Sequence, residues 1–448
     1  MLAPVQGSRG RPSWRYISSE VVIPRKEVNR GKGVQVPGWL SYSLRFGGQR
    51  HVIHMRRKKL FWPRHLLLMT QDDQGTLQMD YPFIPLDCYY LGYLEDIPFS
   101  TVTMDTCYGG LEGIMKLDDL AYEIKPLKDS QRFEHVVSQI VADTNATGPP
   151  YRLGYKEDSD PLLSQANTSA ASRISSKLYS SHQGNIKGCM IASNSIYTIY
   201  NNMSKCANLL RNIGSLFNSM YKSLDIRYYI GIMIIYNARD PAAMNNYQVP
   251  GSPFHQYYEL VIFRPLLPHS GFLLNRQGPH EVDFTPVLYG MCNNENLVML
   301  GYMDRHYLLI AIVGAQEIGR TLGLYYDEDT CVCQRRATCI MYHYPVLTDA
   351  FSNCSFVHIQ NVFANHVADC LYMTDIVYTN RTYSVARCGD NVVDETEQCD
   401  CGSFKRCYND PCCKSDCTFP RGSSCDTGRC CVNCTQAAPG VLCRPIQN

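Results

Sequence analysis

The sequence predicts an α+β multidomain protein: a β-rich N-terminal region, an α/β domain in the middle and a disulfide-rich, loop-dominated C-terminal module. Three observations predict it. Residues from about 15 to 135 alternate apolar and polar positions in short runs broken by Gly and Pro, as in Val52-Ile53-His54-Met55 and Tyr122-Glu123-Ile124, the pattern of half-buried strands. From Asn185 a strand-like run, Gly188 to Ala192, leads into apolar positions at helical steps (Met203, Ala207, Leu210, Ile213, Leu216, Met220) and then into a second apolar run, Arg227 to Tyr236. Strand, helix, strand is the order a parallel crossover needs. Finally, twelve of the 22 cysteines lie between Cys388 and Cys443, a stretch too short to fold on apolar burial alone.

Each region is then bounded in turn. A segment rich in Ser, Asn, Gly and Pro from Thr144 to Gly184 reads as a linker, which places the regions at 1–183, 184–376 and 384–448. The N-terminal region holds only Cys88 and Cys107, expected to bridge, and a further helix is expected from about Tyr307 to Leu324, stopped at Gly323.

The chain carries 42 basic against 41 acidic side chains, and the net charge of +1 makes no electrostatic case for a nucleic-acid or acidic partner. Its cysteines demand an oxidising compartment. Six Asn-x-Ser/Thr sequons, at Asn145, Asn167, Asn202, Asn353, Asn380 and Asn433, agree with that. Yet no secretory signal is visible near Met1, and no run of about 18 apolar residues offers a membrane span. The secretory pathway or cell surface is expected, with both ends of the chain read as incomplete.

The decisive stretch runs from Gln316 to Asp327 and follows in register the zinc-protease template HExxHxxGxxH, with Glu317 and Gly323 in place. The template's three ligands would stand at Gln316, Arg320 and Tyr326. Zinc needs neutral imidazoles about 2.0–2.1 Å away and a bound water that the glutamate deprotonates. An arginine stays protonated and offers no lone pair. No zinc is therefore expected, and a salt bridge from Glu317 to Arg320 is the expected fate of the base. The 31 tyrosines read as packing residues, and His54, His255, His280, His343 and His358 lack ligand spacing.

With that stretch, Cys339-Ile340-Met341 resembles the Met-turn of the ADAM (disintegrin and metalloproteinase) family, with Met341 as the floor of the metal site. The resemblance covers nearly the whole chain. It implies the pairs Cys292–Cys370, Cys331–Cys354 and Cys333–Cys339 in a reprolysin-type metzincin domain. Trp14 to Glu20 and Asp87 to Tyr93 are similar to prodomain segments; the family's inhibitory Cys-Gly is Leu153-Gly154 here, and no Arg-x-Lys/Arg-Arg cleavage site lies between 144 and 190. Cys388 to Gly402 resembles the start of a disintegrin domain, which implies Ca²⁺ ligands at Asp390, Asp394, Glu397 and Asp400 with the Val392 carbonyl, although Asp390 and Asp394 replace the more usual Asn and Glu. The chain stops where the family's integrin-binding loop would begin, so integrin recognition through it is not expected and Cys443 is expected to lack its partner.

What the resemblance implies is a pseudoenzyme: a non-catalytic, glycosylated adhesion protein that meets a cell-surface protein partner, in reproduction by analogy with sperm members of the family that lack the zinc motif. Two other readings stand beside it: a zinc endopeptidase with the ligand set Glu317, Tyr326 and His343, and the translated product of a pseudogene.

Overall fold

The computed structural model describes residues 14–27, 39–61, 66–80, 84–85, 87–128, 130–142, 184–243, 252–276, 288–302, 304–343, 345–365, 367–372, 388, 393, 397–401, 407, 409–428, 430–441 and 443. Leu153, Gly154, Asn145, Asn167, Asn380, Asp390, Val392 and Asp394 fall outside them.

The N-terminal region contributes β1 (Trp14–Val22), β2 (Arg25–Lys26), β3 (Trp39–Phe46), β4 (Gln49–Arg57), β5 (Leu67–Gln71), β6 (Leu77–Met79), β7 (Tyr89–Leu94), β8 (Thr101–Asp105), β9 (Glu112–Leu117), β10 (Leu120–Pro126) and β11 (His135–Ala142). Nine of these form one antiparallel sheet in the order β1-β11-β10-β9-β8-β7-β4-β3-β2. Its inward face buries Ile53, Met55, Val102, Met115 and Ile124, the alternate residues of their strands, and the Cys88–Cys107 bond ties β7 to the end of β8.

The two strands left over do not stay in that sheet. β5 pairs in parallel with β13 (Ile226–Ile235) through Ile232↔Leu67, Met233↔Leu68 and Ile234↔Met69, and β6 folds back on it as a hairpin. The central sheet, in the order β15-β14-β12-β13-β5-β6, therefore mixes strands of two regions; β12 is Gly184–Ala192, β14 Ser270–Asn275 and β15 Leu297–Gly301. Apart from β6 its strands are parallel, and such sheets are covered on both faces, which is why β13 and β14 read as near-continuous apolar runs rather than alternating ones.

Among the helices are α1 (Asn194–Tyr200), α2 (Met203–Tyr221), α3 (Tyr307–Leu322) and α4 (Asn353–Ala364). Asn202 caps α2 by accepting from Lys205 N, and the helix buries Leu210, Ile213 and Phe217 in the central core. The N-terminal sheet docks against this layer through specific polar groups. Arg211 on α2 is 2 % exposed and donates to the Tyr108 hydroxyl at 3.0 Å, and Lys58 Nζ donates to Ser215 O at 2.9 Å. Glu123 on β10, buried, meets His306 Nε2 at 3.3 Å and accepts from Tyr16. Burial alone would raise its carboxyl, but His306 and Lys125 outweigh that and hold it down at about 2. Arg335 makes two bonds to Asp118, at 2.5 and 2.7 Å, on the opposite margin.

Among its described residues the C-terminal module has one small hairpin, β16 (Cys431–Val432) with β17 (Thr435–Gln436), and six disulfides: Cys388–Cys417, Cys399–Cys413, Cys401–Cys407, Cys412–Cys434, Cys425–Cys431 and Cys430–Cys443. The expectation that Cys443 lacks a partner is corrected: the turn after β17 brings it back to Cys430. The two free cysteines are instead Cys189 and Cys206, both buried in the central domain, where they pack as small apolar side chains.

Candidate functional site

Helix α3 carries the motif and is buried on nearly every side, so its chemistry is set by what packs against its last two turns. Gly323 ends it at φ 101°, a left-handed conformation that favours glycine, and its N–H donates to Gly319 O and Arg320 O. A Cβ there would lie 2.3 Å from the Tyr289 ring. Gly319, one turn earlier, leaves room for Met341: a Cβ would lie 2.9 Å from its Sδ. The chain then returns beneath the helix, with Asp327 N donating to Met341 O at 2.9 Å and Ile340 N to Ala350 O. The disulfides Cys292–Cys370, Cys331–Cys354 and Cys333–Cys339 pin this return.

The motif residues form one cluster held largely by contacts among themselves, with Arg320 Nε and Asp327 Oδ2 buried and making no hydrogen bond among the described residues. Gln316 is 5 % exposed and its Nε2 donates to Ile340 O at 3.0 Å and Tyr342 O at 2.6 Å, so the amide straps the helix to the turn carrying Met341. Arg320 does not turn back to Glu317 as expected. Its Nη1 donates to Leu324 O at 3.3 Å, and its guanidinium carbon lies 4.6 Å from the centre of the Tyr326 ring. The negative face of the ring attracts a guanidinium electrostatically, and its planar fork stacks well on an aromatic. His343, exposed at the surface, stacks on the same ring at 4.9 Å with 29° between planes. Asp327 is 3 % exposed and accepts from the Ser352 hydroxyl, and burial raises its carboxyl.

Against the demands of a zinc ion this set fits poorly. The Gln316 amide turns its nitrogen to two carbonyls and has only a neutral amide oxygen to offer in place of an imidazole, and Arg320 brings a fixed positive charge. Stacking makes the in-plane lone pairs of His343 run alongside Tyr326 instead of converging with its oxygen on one point. Elsewhere among the described residues, the groups of three His, Cys, Asp or Glu close enough to share an ion each consist of a disulfide and one carboxylate, and a disulfide has no thiolate to give. Of the calcium set, Glu397 and Asp400 are described and Asp400 is buried, its N–H donating to Asp426 at 3.3 Å. Asn202, Asn353 and Asn433 are exposed; Asn353 Oδ1 also accepts from Val332 N at 2.8 Å. The role of Gln316 as a strap was not legible in the sequence, since nothing in the motif says which carbonyls an amide at a ligand position will find.

A parallel sheet backed by a helix bearing this motif, with a methionine turn beneath it, defines a protein built on the scaffold of the metzincin zinc proteases. The comparisons agree. Residues 186–374 match the model of the reprolysin (M12B) family zinc metalloprotease, 394–448 that of disintegrin and 8–95 that of the reprolysin family propeptide. Disintegrin and metalloproteinase domain-containing protein 1a of Mus musculus is 27 % identical over 96 % of this chain and 54 % of its own length. Protein 1b of Mus musculus is 26 % identical over 96 % and 52 %, and protein 1 of Rattus norvegicus 27 % over 96 % and 54 %. The chain belongs to the ADAM family and spans about half the length of the curated relatives it matches. Family and disulfides together go with a secreted or cell-surface protein, and no helix among the described residues is long and apolar enough to cross a membrane.

Proposed function

We propose that this protein is a non-catalytic member of its family, a protease scaffold without zinc whose role is adhesion or protein interaction at a cell surface. The observation that carries the reading is the Gln316 amide, spent on the Ile340 and Tyr342 carbonyls, with Arg320 laid on Tyr326 beside it. A metal-bound water has no place in that arrangement, and Glu317 has nothing to deprotonate. The disintegrin module supports a protein partner, and a reproductive setting follows by analogy alone. We assign the regions as 1–183, 184–376 and 384–448, and Ca²⁺ to the carboxylates around Glu397 and Asp400, where calcium should raise and chelator lower the unfolding temperature of the last region.

The test is metal content and peptidase activity of the secreted chain beside a variant with Gln316→His, Arg320→His and Tyr326→His. The reading expects a native chain that is zinc-free and inert, and a variant that binds zinc. Stoichiometric zinc in the native chain, with chelator-sensitive peptide cleavage, would overturn it in favour of the ligand set Glu317, Tyr326 and His343.

A further inference from the structure

The near-neutral net charge conceals a strong asymmetry. The first 65 residues carry fourteen Lys and Arg against two acidic residues, leaving 28 against 39 for the rest of the chain. Strand register decides where the described part of that charge goes. Leu44, Phe46, Ile53, Met55 and Leu94 face the N-terminal core, so the residues between them share the outer face. Cross-strand pairs put Arg25 opposite Ser43, Arg45 opposite Arg50, Trp39 opposite Arg56, and His54 opposite Tyr93. All four arginines are exposed. Arg50 pairs with Glu27 at 2.6 Å and His54 lies 3.6 Å from Glu95, whereas Arg25, Arg45 and Arg56 make no ion pair among the described residues.

Two features set this face apart from an ordinary solvated one. Like charges directly across a strand pair are unfavourable, and Arg45 against Arg50 keeps such a pair. Trp39 and Tyr93, 40 % and 47 % exposed, stand at the Arg56 end of this face with ring centroids 6.4 Å apart, offering apolar faces beside the charge. Guanidinium forks match sulfate and phosphate oxygens, and an exposed aromatic pair suits the flat faces of sugar rings.

We propose that the outer face of β2, β3, β4 and β7 binds a sulfated polysaccharide. In the compartment of a disulfide-rich, secreted or cell-surface protein, that is the linear polyanion whose chemistry combines both features. The inference goes beyond the adhesion reading and does not depend on the state of the zinc site.

The experiment is affinity of the full chain for immobilised heparin as a function of salt, with a sulfopropyl resin as the reference for plain cation exchange. Expected is retention on heparin to higher salt than on sulfopropyl. In the Arg45→Gln/Arg56→Gln variant, the slope of log affinity against log salt should fall by about 2, one for each lost charge contact. Lys205→Glu, an exposed charge change on α2, should leave the slope in place. Trp39→Ala should weaken heparin retention while sparing sulfopropyl retention. Neutralising Arg45 should not lower the unfolding temperature, which separates lost binding from lost folding. Equal retention on the two resins, or an unchanged slope in the double variant, overturns the proposal. So does preferential binding to phosphatidylserine-containing vesicles without binding to heparin, which would assign the face to lipid.

Discussion

Gln316→Ala is the perturbation that most directly probes what holds the motif helix to the turn beneath it. The wild-type amide gives one proton to each of two backbone carbonyls, of which Ile340 lies in a fully buried residue and Tyr342 in a half-buried one. A buried acceptor left unsatisfied costs about 1–3 kcal/mol, and the more accessible Tyr342 carbonyl will recover water. Truncation also releases up to about 2 kcal/mol of side-chain entropy that the folded state no longer has to offset. The balance is a destabilisation of about 1 kcal/mol, or an unfolding temperature lower by about 2–4 °C for a domain of this size. Gln316→Glu should do at least as much harm, because an ionised carboxylate would face the same two carbonyls with no proton to donate. Thermal unfolding gives the magnitude, and hydrogen exchange at Asp327, whose N–H bonds Met341 O, localises it. If Gln316→Ala melts within about 1 °C of the native chain with exchange at Asp327 unchanged, the disulfides and Met341 hold the turn without the strap, and the reasoning is wrong.

Three further outcomes are expected of the same structure. Gly323→Ala places a Cβ 2.3 Å from Tyr289 at a φ of 101°, so it should cost more than about 1 kcal/mol and lower the yield of folded protein, read by thermal unfolding of the secreted material. Lys187 is fully buried, its Nζ donating to Leu266 O at 2.7 Å, and burial pushes its ammonium from 10.5 down to about 7. Between those values the unfolded chain binds the extra proton, so stability rises with pH across that window by on the order of 1 kcal/mol per unit, and Lys187→Met should flatten the rise in denaturant titrations at pH 7 and 9. Cleavage of an engineered protease site within 143–183 should leave the two fragments co-eluting in gel filtration until denaturant is added, because β5 is a strand of the central sheet; separation in native buffer would contradict that pairing.

Much was readable in the residues themselves. Apolar alternation announced the N-terminal strands, the i, i+3, i+4 rhythm from Met203 to Met220 announced α2, and Gly323 announced the end of α3, because local periodicity and a left-handed cap are properties of a few neighbouring residues. Residue type alone also disclosed what stands at positions 316, 320 and 326, since no fold can give an arginine a free lone pair. What required the tertiary structure were the partners distant in sequence. Leu67 to Gln71 read like any other strand of the first region, and only the open edge of β13 claimed it for the second sheet, a choice made by burial on both faces. Arg320 settled on Tyr326 instead of on Glu317, and Cys443 found Cys430, because loops decided which groups arrive within reach. The total charge said nothing about the arginines of β2, β3 and β4, whose gathering on one face is a consequence of strand register. Chemistry that resides in one side chain was thus determined by the sequence, and chemistry that needs two was decided by the fold.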